Sequence, residues 1–237
     1  MATALTTTCM EMRCLVTLLL VFLELVEGGL LRSAGDRVRL TEVGPARVDG
    51  RLSGSVVLTC TATGSPAPAL AWYKDSLFLS HQDQEEGAGQ GSLGETVARL
   101  VLSCLTEADG GQYECRARAG REQESAVTEL NVVHWEEAET DHCTKTRRPE
   151  ISVWRPTVLV EVGRTVSLPC QTNSEDSLVT WSTRGAAIQA GGRIKISKTG
   201  ELEISDVNWS DMGQYTCTVT NTGGSDIIQS FIYPLSP

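Results

Sequence analysis

The chain has 237 residues, eight cysteines and a formal net charge of −10 at pH 7. An acidic chain repels phosphate groups, so we expect neither nucleic acid nor an anionic membrane surface as a partner. Cysteine-rich chains of this size are typical of the extracellular space, where disulfides persist. The length is sufficient for two domains of about 100 residues each.

Residues 1–28 predict a signal peptide. Arg13 precedes the apolar run CLVTLLLVFL (14–23), and small or compact residues lead to Gly28, where we expect cleavage. The run is short for a membrane span and no second one follows, so we expect a secreted protein without membrane insertion. An uncleaved N-terminal anchor is the alternative interpretation.

Two stretches of the chain repeat each other, ARLVLSCLTEADGGQYEC (98–115) and GELEISDVNWSDMGQYTC (200–217). In both, a tyrosine, a glycine and an aspartate stand at the same distances before the closing cysteine. The surrounding sequence consists of short alternating apolar runs separated by Gly and Pro, without a helical period. This pattern predicts an all-β protein with domains at 36–134 and 150–235, joined by a linker at 135–149.

Each copy contains the cysteine, tryptophan, cysteine order of an immunoglobulin sandwich. In that fold a disulfide crosses the core between the two sheets and the indole covers it. A tyrosine two residues before the second cysteine is typical of the tyrosine corner. The predicted disulfides are Cys60–Cys115 and Cys170–Cys217, the core tryptophans are Trp72 and Trp181, and the corner tyrosines are Tyr113 and Tyr215.

The run Gly64-Ser-Pro-Ala-Pro68 leading to Trp72 and Lys74 resembles the I-set immunoglobulin domains of adhesion and muscle proteins. The fold class that we predict is therefore two tandem I-set β-sandwiches after a signal peptide. The second copy resembles this set too, and the resemblance implies an ion pair between Arg193 and Asp211 at the bottom of its sandwich.

The first copy departs from this pattern, because HQDQEEGAGQGSLGE (81–95) stands where strand D is expected. Its glycines and carboxylates favour a long acidic loop over a strand. Asp109, which corresponds to Asp211, has no evident basic partner in the sequence.

Once the core pairs are assigned, Cys104 and Cys143 remain in the mature chain. An even remainder in a secreted protein favours pairing. Strands E and G of an immunoglobulin fold end near the pole from which the linker leaves, so we predict a third disulfide, Cys104–Cys143. Closing a loop of this length is expected to stabilise the fold by about 3–4 kcal/mol.

A metal site that uses His134, His142 and Cys143 is the competing idea for the linker. Their spacing follows no compact zinc pattern, so we expect no metal and no cofactor. The remaining histidine, His81, also stands in a loop, and no hydrolase, phosphate-binding or paired-histidine motif occurs. We therefore expect a binding protein and not an enzyme.

The last predicted strand, IIQSFIY (227–233), is apolar on both of its faces. Ile228 and Ile232 share one face, and the other face carries Ile227, Phe231 and Tyr233. One face must pack on the core, and the other needs cover by the first domain or by a partner. Our hypothesis is that Ile227, Phe231 and Tyr233 contact a ligand.

Asn208-Trp-Ser210 is the glycosylation sequon that the predicted E–F turn presents. The side chain of Asn208 is therefore a candidate site for a glycan.

The C-terminal third, from LPC (168–170) to DIIQSFIYP (226–234), resembles the arthropod neural/ectodermal development factors of the ecdysone-inducible Imp-L type. These are secreted proteins of two immunoglobulin domains. The resemblance implies binding of insulin-like peptides and insulin-like growth factors, which keeps the hormone from its receptor. The alternative is an adhesion or axon-guidance protein that binds cell-surface immunoglobulin receptors and forms a homodimer.

Overall fold

A computed structural model describes residues 36–79, 92–134, 148–174 and 176–236. The predicted signal peptide and most of the predicted linker lie outside these residues. The first domain contains these strands: β1 (Arg37–Val43), β2 (Arg47–Arg51), β3 (Ser55–Ser65), β4 (Ala69–Lys74), β5 (Leu77–Phe78), β6 (Ser92–Ser103), β7 (Gly111–Ala119) and β8 (Glu122–Val133).

The second domain contains three long strands, its first and its last two, and six short strands in between. They are β9 (Ile151–Glu161), β10 (Val166–Leu168), β11 (Cys170–Thr172), β12 (Leu178–Thr183), β13 (Ala186–Ala187), β14 (Ile194–Ile196), β15 (Leu202–Ile204), β16 (Gly213–Asn221) and β17 (Gly224–Leu235). One 3-10 turn precedes the penultimate strand of each domain, at Glu107–Asp109 and Trp209–Asp211. The predicted all-β class is confirmed.

Each domain is a sandwich of two sheets. In the first domain, the sheet ordered β2-β8-β7-β4-β5 packs on β1, β3 and β6. In the second, the sheet ordered β10-β15-β14 packs on β9, β17, β16, β12 and β13. The alternation of buried and exposed residues along these strands directs every second side chain into the core of its domain.

A disulfide crosses each core beside a buried tryptophan. Cys60 is bonded to Cys115 and Cys170 to Cys217, with S–S distances of 2.06 and 2.00 Å. Trp72 and Trp181 are both buried. The Trp181 Nε1–H donates a hydrogen bond of 2.8 Å to the carbonyl oxygen of Gly200, so the indole is anchored to the turn before β15 as well as packed.

Each corner tyrosine ties the 3-10 turn of its domain to the strand that follows, β7 in the first domain and β16 in the second. The hydroxyl of Tyr113 donates to the backbone carbonyl oxygen of Asp109 at 2.7 Å. The hydroxyl of Tyr215 donates to the backbone carbonyl oxygen of Asp211 at 2.9 Å. Burial, assisted by the charges of Asp109 and Asp75, raises the pKa of Tyr113 to about 12. The phenols therefore stay protonated, as a hydrogen-bond donor must.

The two domains share one continuous sheet, in which β6 of the first domain pairs antiparallel with β9 of the second. Its order is β1-β3-β6-β9-β17-β16-β12-β13. In this pairing β9 occupies the edge of β6 at which strand D of the first domain is expected. An unpaired strand edge exposes a row of backbone hydrogen-bonding groups, and here the neighbouring domain pairs with them.

The prediction of a loop over 81–95 is wrong for its last four residues, because Ser92–Glu95 form the start of β6. Residues 81–91 lie outside the described residues. Glycine is disfavoured in strands, but at Gly94 it permits a close approach. A Cβ at this position would lie 2.9 Å from the carbonyl oxygen of Thr157 in β9 and 3.2 Å from the Cβ of Ala67. Gly94 therefore lets the backbones of the two domains meet.

Side chains reinforce the junction between β6 and β9. Val153 of β9 is buried in the core of the first domain. The guanidinium of Arg155 is buried as well, where Nη1 donates to the carbonyl oxygen of Ser167 at 2.5 Å and Nε donates to Thr96 Oγ1 of the first domain at 3.4 Å. Burial lowers the pKa of Arg155 to about 10, which leaves it charged at neutral pH.

A second arginine joins the domains at the start of β9. Arg99 Nη2 donates to the carbonyl oxygen of Ile151 at 2.9 Å and to Asp226 Oδ2 at 2.5 Å. Asp226 Oδ2 also accepts the backbone N–H of Ile151 at 2.8 Å. The guanidinium carbon lies 5.6 Å from the ring centroid of Trp154, so the aromatic ring helps to position the cation.

Cys104 directly follows β6 and adopts the left-handed backbone conformation, with φ of 55°. Its sulfur is disulfide-bonded. The partner that we predict for it, Cys143, lies outside the described residues, so the Cys104–Cys143 pairing stays a prediction. Of the histidines, His134 is described, and its Nε2 lies 2.8 Å from Glu107 Oε1.

The ion pair implied by the I-set resemblance is present in the second domain. Arg193 Nη1 and Nη2 lie 2.6 and 2.5 Å from the two carboxylate oxygens of Asp211. The backbone N–H of Asn208 adds a hydrogen bond of 2.9 Å to the same carboxylate. Burial acts to raise the pKa of Asp211, but these bonds outweigh it and hold the pKa below its usual value.

Replacing Asp211 with asparagine is expected to destabilise the protein by about 2 kcal/mol at neutral pH, because Arg193 loses its partner. The lowered pKa means that the carboxylate stabilises the fold above the unfolded-state pKa of 3.8, and that this contribution disappears as the pH falls below it. Urea unfolding at about pH 7 and about pH 2.5 should therefore give a large difference between variant and parent at the higher pH only.

The matched control is Glu203→Gln, which breaks the exposed pair between Lys195 and Glu203. It should cost less than about 0.5 kcal/mol at either pH. If Asp211→Asn lowered the free energy of unfolding equally at both pH values, that result would contradict the stabilising role of the ionised carboxylate.

Candidate binding surface

The last strand, β17, carries apolar side chains on both faces, and the structure places them as the sequence pattern indicates. Ile228 and Ile232 are buried in the core of the second domain. Ile227, Phe231 and Tyr233 point the other way and keep 56%, 39% and 43% of their surface exposed. The described strands of the first domain do not cover this outer face, because they join the sheet edge to edge instead of packing on it.

The exposed face of β17 continues across the junction into the first domain. Tyr233 is the cross-strand neighbour of Leu159 in β9, and Leu159 is the neighbour of Leu93 in β6. Directly opposed residues share a face of the sheet, so these three side chains form a row across three strands. Phe231 lies beside this row, next to Thr157. We call Leu93, Leu159, Phe231 and Tyr233 the outer patch.

The outer patch has an aromatic rim at one end. Trp209, in the 3-10 turn before β16, is half exposed, and its ring meets that of Tyr233 edge to face with centroids 6.4 Å apart. Ile227 lies further along β17, separated from Phe231 by Gln229. The patch therefore combines aliphatic and aromatic side chains in the manner of a protein-binding surface.

From Phe231 toward β16 and β12 the surface is polar but uncharged, whereas on the other side of Phe231 the carboxylate-bearing Glu95 of β6 opposes Thr157. The same face of the sheet continues through residues of β16 and β12 whose side chains carry amide or hydroxyl groups, namely Gln214, Thr216, Thr218, Thr180 and Ser182. Such groups can donate and accept hydrogen bonds but offer no general acid or base at neutral pH. No group of three or more His, Cys, Asp or Glu side chains among the described residues is placed to hold a metal ion.

Sequence reasoning found part of the patch and missed the rest. It identified Phe231 and Tyr233 from the two-faced pattern of β17 but not Leu93, which fell within the segment predicted as a loop. Leu159 carried a usable signal, since Val158-Leu159-Val160 places apolar residues on both faces of β9 as well. Asn208, the predicted glycan site, lies next to Trp209 at the rim.

Comparison with known proteins identifies the domains. Residues 149–231 match the family model of the immunoglobulin I-set domain, and residues 41–118 match that of an immunoglobulin domain. Mouse Hemicentin-2 is 32% identical over 185 residues, which cover 77% of this chain and 3% of Hemicentin-2. The chain thus spans a small fraction of the length of such relatives.

A second relative matches the chain over most of both lengths. Neural/ectodermal development factor IMP-L2 of Drosophila melanogaster is 26% identical over 212 residues, which cover 84% of this chain and 78% of that protein. The crystal structure of IMP-L2 aligns with a TM-score of 0.69 and 22% identity, over 85% of this chain and 96% of that one. Neural cell adhesion molecule 1 of Gallus gallus is 26% identical over 74% of this chain and 15% of its own length.

Proposed function

We propose that this chain, which contains two immunoglobulin domains and is similar to neural/ectodermal development factor IMP-L2, binds insulin-like peptide hormones. Hormone held in such a complex is withheld from its receptor, so insulin signalling falls. The sequence resemblance implies this ligand class, and the fold and the relatives favour binding over catalysis.

The observation that supports a binding site most directly is the outer patch. It is apolar and contributed by both domains, with exposed Leu93 from the first and half-buried Leu159 and exposed Phe231 and Tyr233 from the second. A contiguous apolar surface marks an interaction site more often than single exposed apolar residues do. A peptide hormone with an apolar face would bind because that face is buried against the outer patch.

The mechanism requires no chemistry on the hormone. A stoichiometric complex lowers the free hormone concentration by mass action, to an extent set by the dissociation constant and by the amount of protein. This action also requires that the protein and the hormone occur in the same compartment. We propose that the chain is secreted, since its described cysteines are all disulfide-bonded, as is typical of oxidising compartments.

Replacing Phe231 and Tyr233 together with serine is expected to weaken hormone binding by about 30-fold or more, as loss of central aromatic contacts does at protein interfaces. Leu93→Ser, in the other domain, should weaken it as well, because the row crosses the junction. The measurement is titration calorimetry of the secreted protein against insulin-like peptides of its own organism.

The matched control for these variants is Val127→Ser, which removes an equally exposed apolar side chain from the other sheet of the first domain. It should bind hormone like the parent. Unchanged affinity in a folded Phe231 and Tyr233 double variant would reject the site, and the absence of binding by the parent itself would reject the proposed ligand class.

Adhesion is the second candidate function, and the similarity to neural cell adhesion molecule 1 favours it. The first domain exposes a separate surface suited to a protein partner, where Arg116 lies 3.9 Å above the ring of Tyr73 and Phe78 packs against that ring. Light scattering after size-exclusion chromatography separates the two functions. A dimer that does not bind hormone supports adhesion, and a monomer that binds it supports sequestration.

A further inference from the structure

We propose that Asn208 carries an N-linked glycan and that the glycan covers Trp209 at the rim of the outer patch. The sequon Asn208-Trp209-Ser210 forms the surface turn that leads into β16. Trp209 and Ser210 are exposed and Asn208 is half-buried, so the modified side chain lies at the surface. This proposal does not depend on hormone binding.

The hydrogen bonds of the turn use one end of the Asn208 carboxamide and leave the other available. Oδ1 accepts the backbone N–H of Ser210 at 2.9 Å and the Ser210 hydroxyl at 2.5 Å, which caps the 3-10 turn. Within the described residues, Nδ2 makes no hydrogen bond. A sugar attached to Nδ2 therefore preserves the cap, because the amide oxygen remains an acceptor.

The modification is a group transfer from a polyprenyl-diphosphate oligosaccharide, which is the donor in the secretory pathway. The bond between C1 of the first sugar and the diphosphate oxygen breaks, and a bond between C1 and Asn208 Nδ2 forms. Nδ2 loses one proton, and the polyprenyl diphosphate leaves. The transfer requires passage through an oxidising secretory compartment, for which the disulfides Cys60–Cys115 and Cys170–Cys217 are independent support.

The position of the sequon gives the glycan a specific place on the surface. Trp209 is the next residue in the turn, half of its surface is exposed, and its ring borders Tyr233. Apolar ring surface of this size favours cover, and a sugar ring presents C–H groups that can pack on an indole face. A glycan on Asn208 would thus lie at the Tyr233 end of the outer patch and leave the Leu93 end open.

The first test is site mapping on the full chain secreted from eukaryotic cells. Removal of N-glycans by an amidase in heavy-oxygen water should convert Asn208 to aspartate with one heavy oxygen atom incorporated. Ser210→Thr should keep the modification and Ser210→Ala should abolish it. Unmodified Asn208 in all of the secreted parent protein would overturn the proposal.

The second test measures whether Trp209 is covered. Oxidation by hydroxyl radicals, mapped by mass spectrometry, should be severalfold slower at Trp209 in the glycosylated parent than in Asn208→Asp, which keeps an oxygen for the cap but cannot accept a glycan. Oxidation of Trp154, at the domain junction, should be the same in both proteins. Equal oxidation of Trp209 in both would overturn the covering role while leaving the modification itself established by the first test.

Discussion

Replacing Gly94 with leucine is expected to change the thermal unfolding of the protein from one transition to two. The leucine Cβ would stand 2.9 Å from the carbonyl oxygen of Thr157, a backbone atom that cannot move without opening the pairing of β6 with β9. Once that pairing is lost, the arginine contacts across the junction lose their geometry too. The domains would then unfold independently, as linked domains with a small interface do.

Scanning calorimetry and small-angle X-ray scattering measure this effect. The variant should show two heat-capacity peaks and a larger radius of gyration than the parent. Gly44→Leu is the matched control, because a Cβ at Gly44 meets nothing closer than the Thr128 hydroxyl at 3.9 Å. A single transition with an unchanged radius in the Gly94 variant would contradict the role of the continuous sheet.

Arg155→Ala is expected to lower the free energy of unfolding by about 3 kcal/mol. The substitution empties the volume of a buried side chain and leaves the carbonyl oxygen of Ser167 without the donor at 2.5 Å. It also removes the contact with Thr96, so the loss falls on the junction as well as on the second domain. Urea unfolding monitored by tryptophan fluorescence measures the change.

Arg155→Met separates the effect of volume from that of hydrogen bonding. Methionine refills most of the space without a charge that must be kept away from water, so it should cost only about 1 kcal/mol. A loss as large as that of Arg155→Ala would show that the bonds to Ser167 and Thr96 outweigh packing at this position. The same result would contradict our expectation that burying the charge of Arg155 offsets much of what its bonds contribute.

The framework of each domain could be predicted from sequence because its determinants repeat at fixed spacing. Cys170, Trp181, Tyr215 and Cys217 each have a side chain whose chemistry suits one place in the sandwich, and the structure puts them there. Strand alternation also gave the two faces of β17, since a period of two assigns Ile232 inward and Phe231 outward. Local patterns of this kind require no knowledge of the other domain.

The junction between the domains could not be predicted in the same way. Two strand edges pair through backbone C=O groups, which every residue carries, and N–H groups, which only proline lacks, so the pairing of β6 with β9 has no characteristic side-chain pattern. The one specific residue, Gly94, indicates a turn when it is interpreted alone, because glycine supplies turn conformations more often than close backbone approaches. Leu93 was lost from the predicted surface for the same reason.

A partner of the outer patch must fit a twisted surface. Adjacent strands in a sheet rotate by about 20–25° relative to one another, so β6 and β17, which stand two strands apart, differ in direction by about 40–50°. Leu93 and Tyr233 therefore lie on strands that diverge, and the surface between them is saddle-shaped. A flat ligand would contact one end at a time, whereas a ligand of complementary curvature would contact both domains at once.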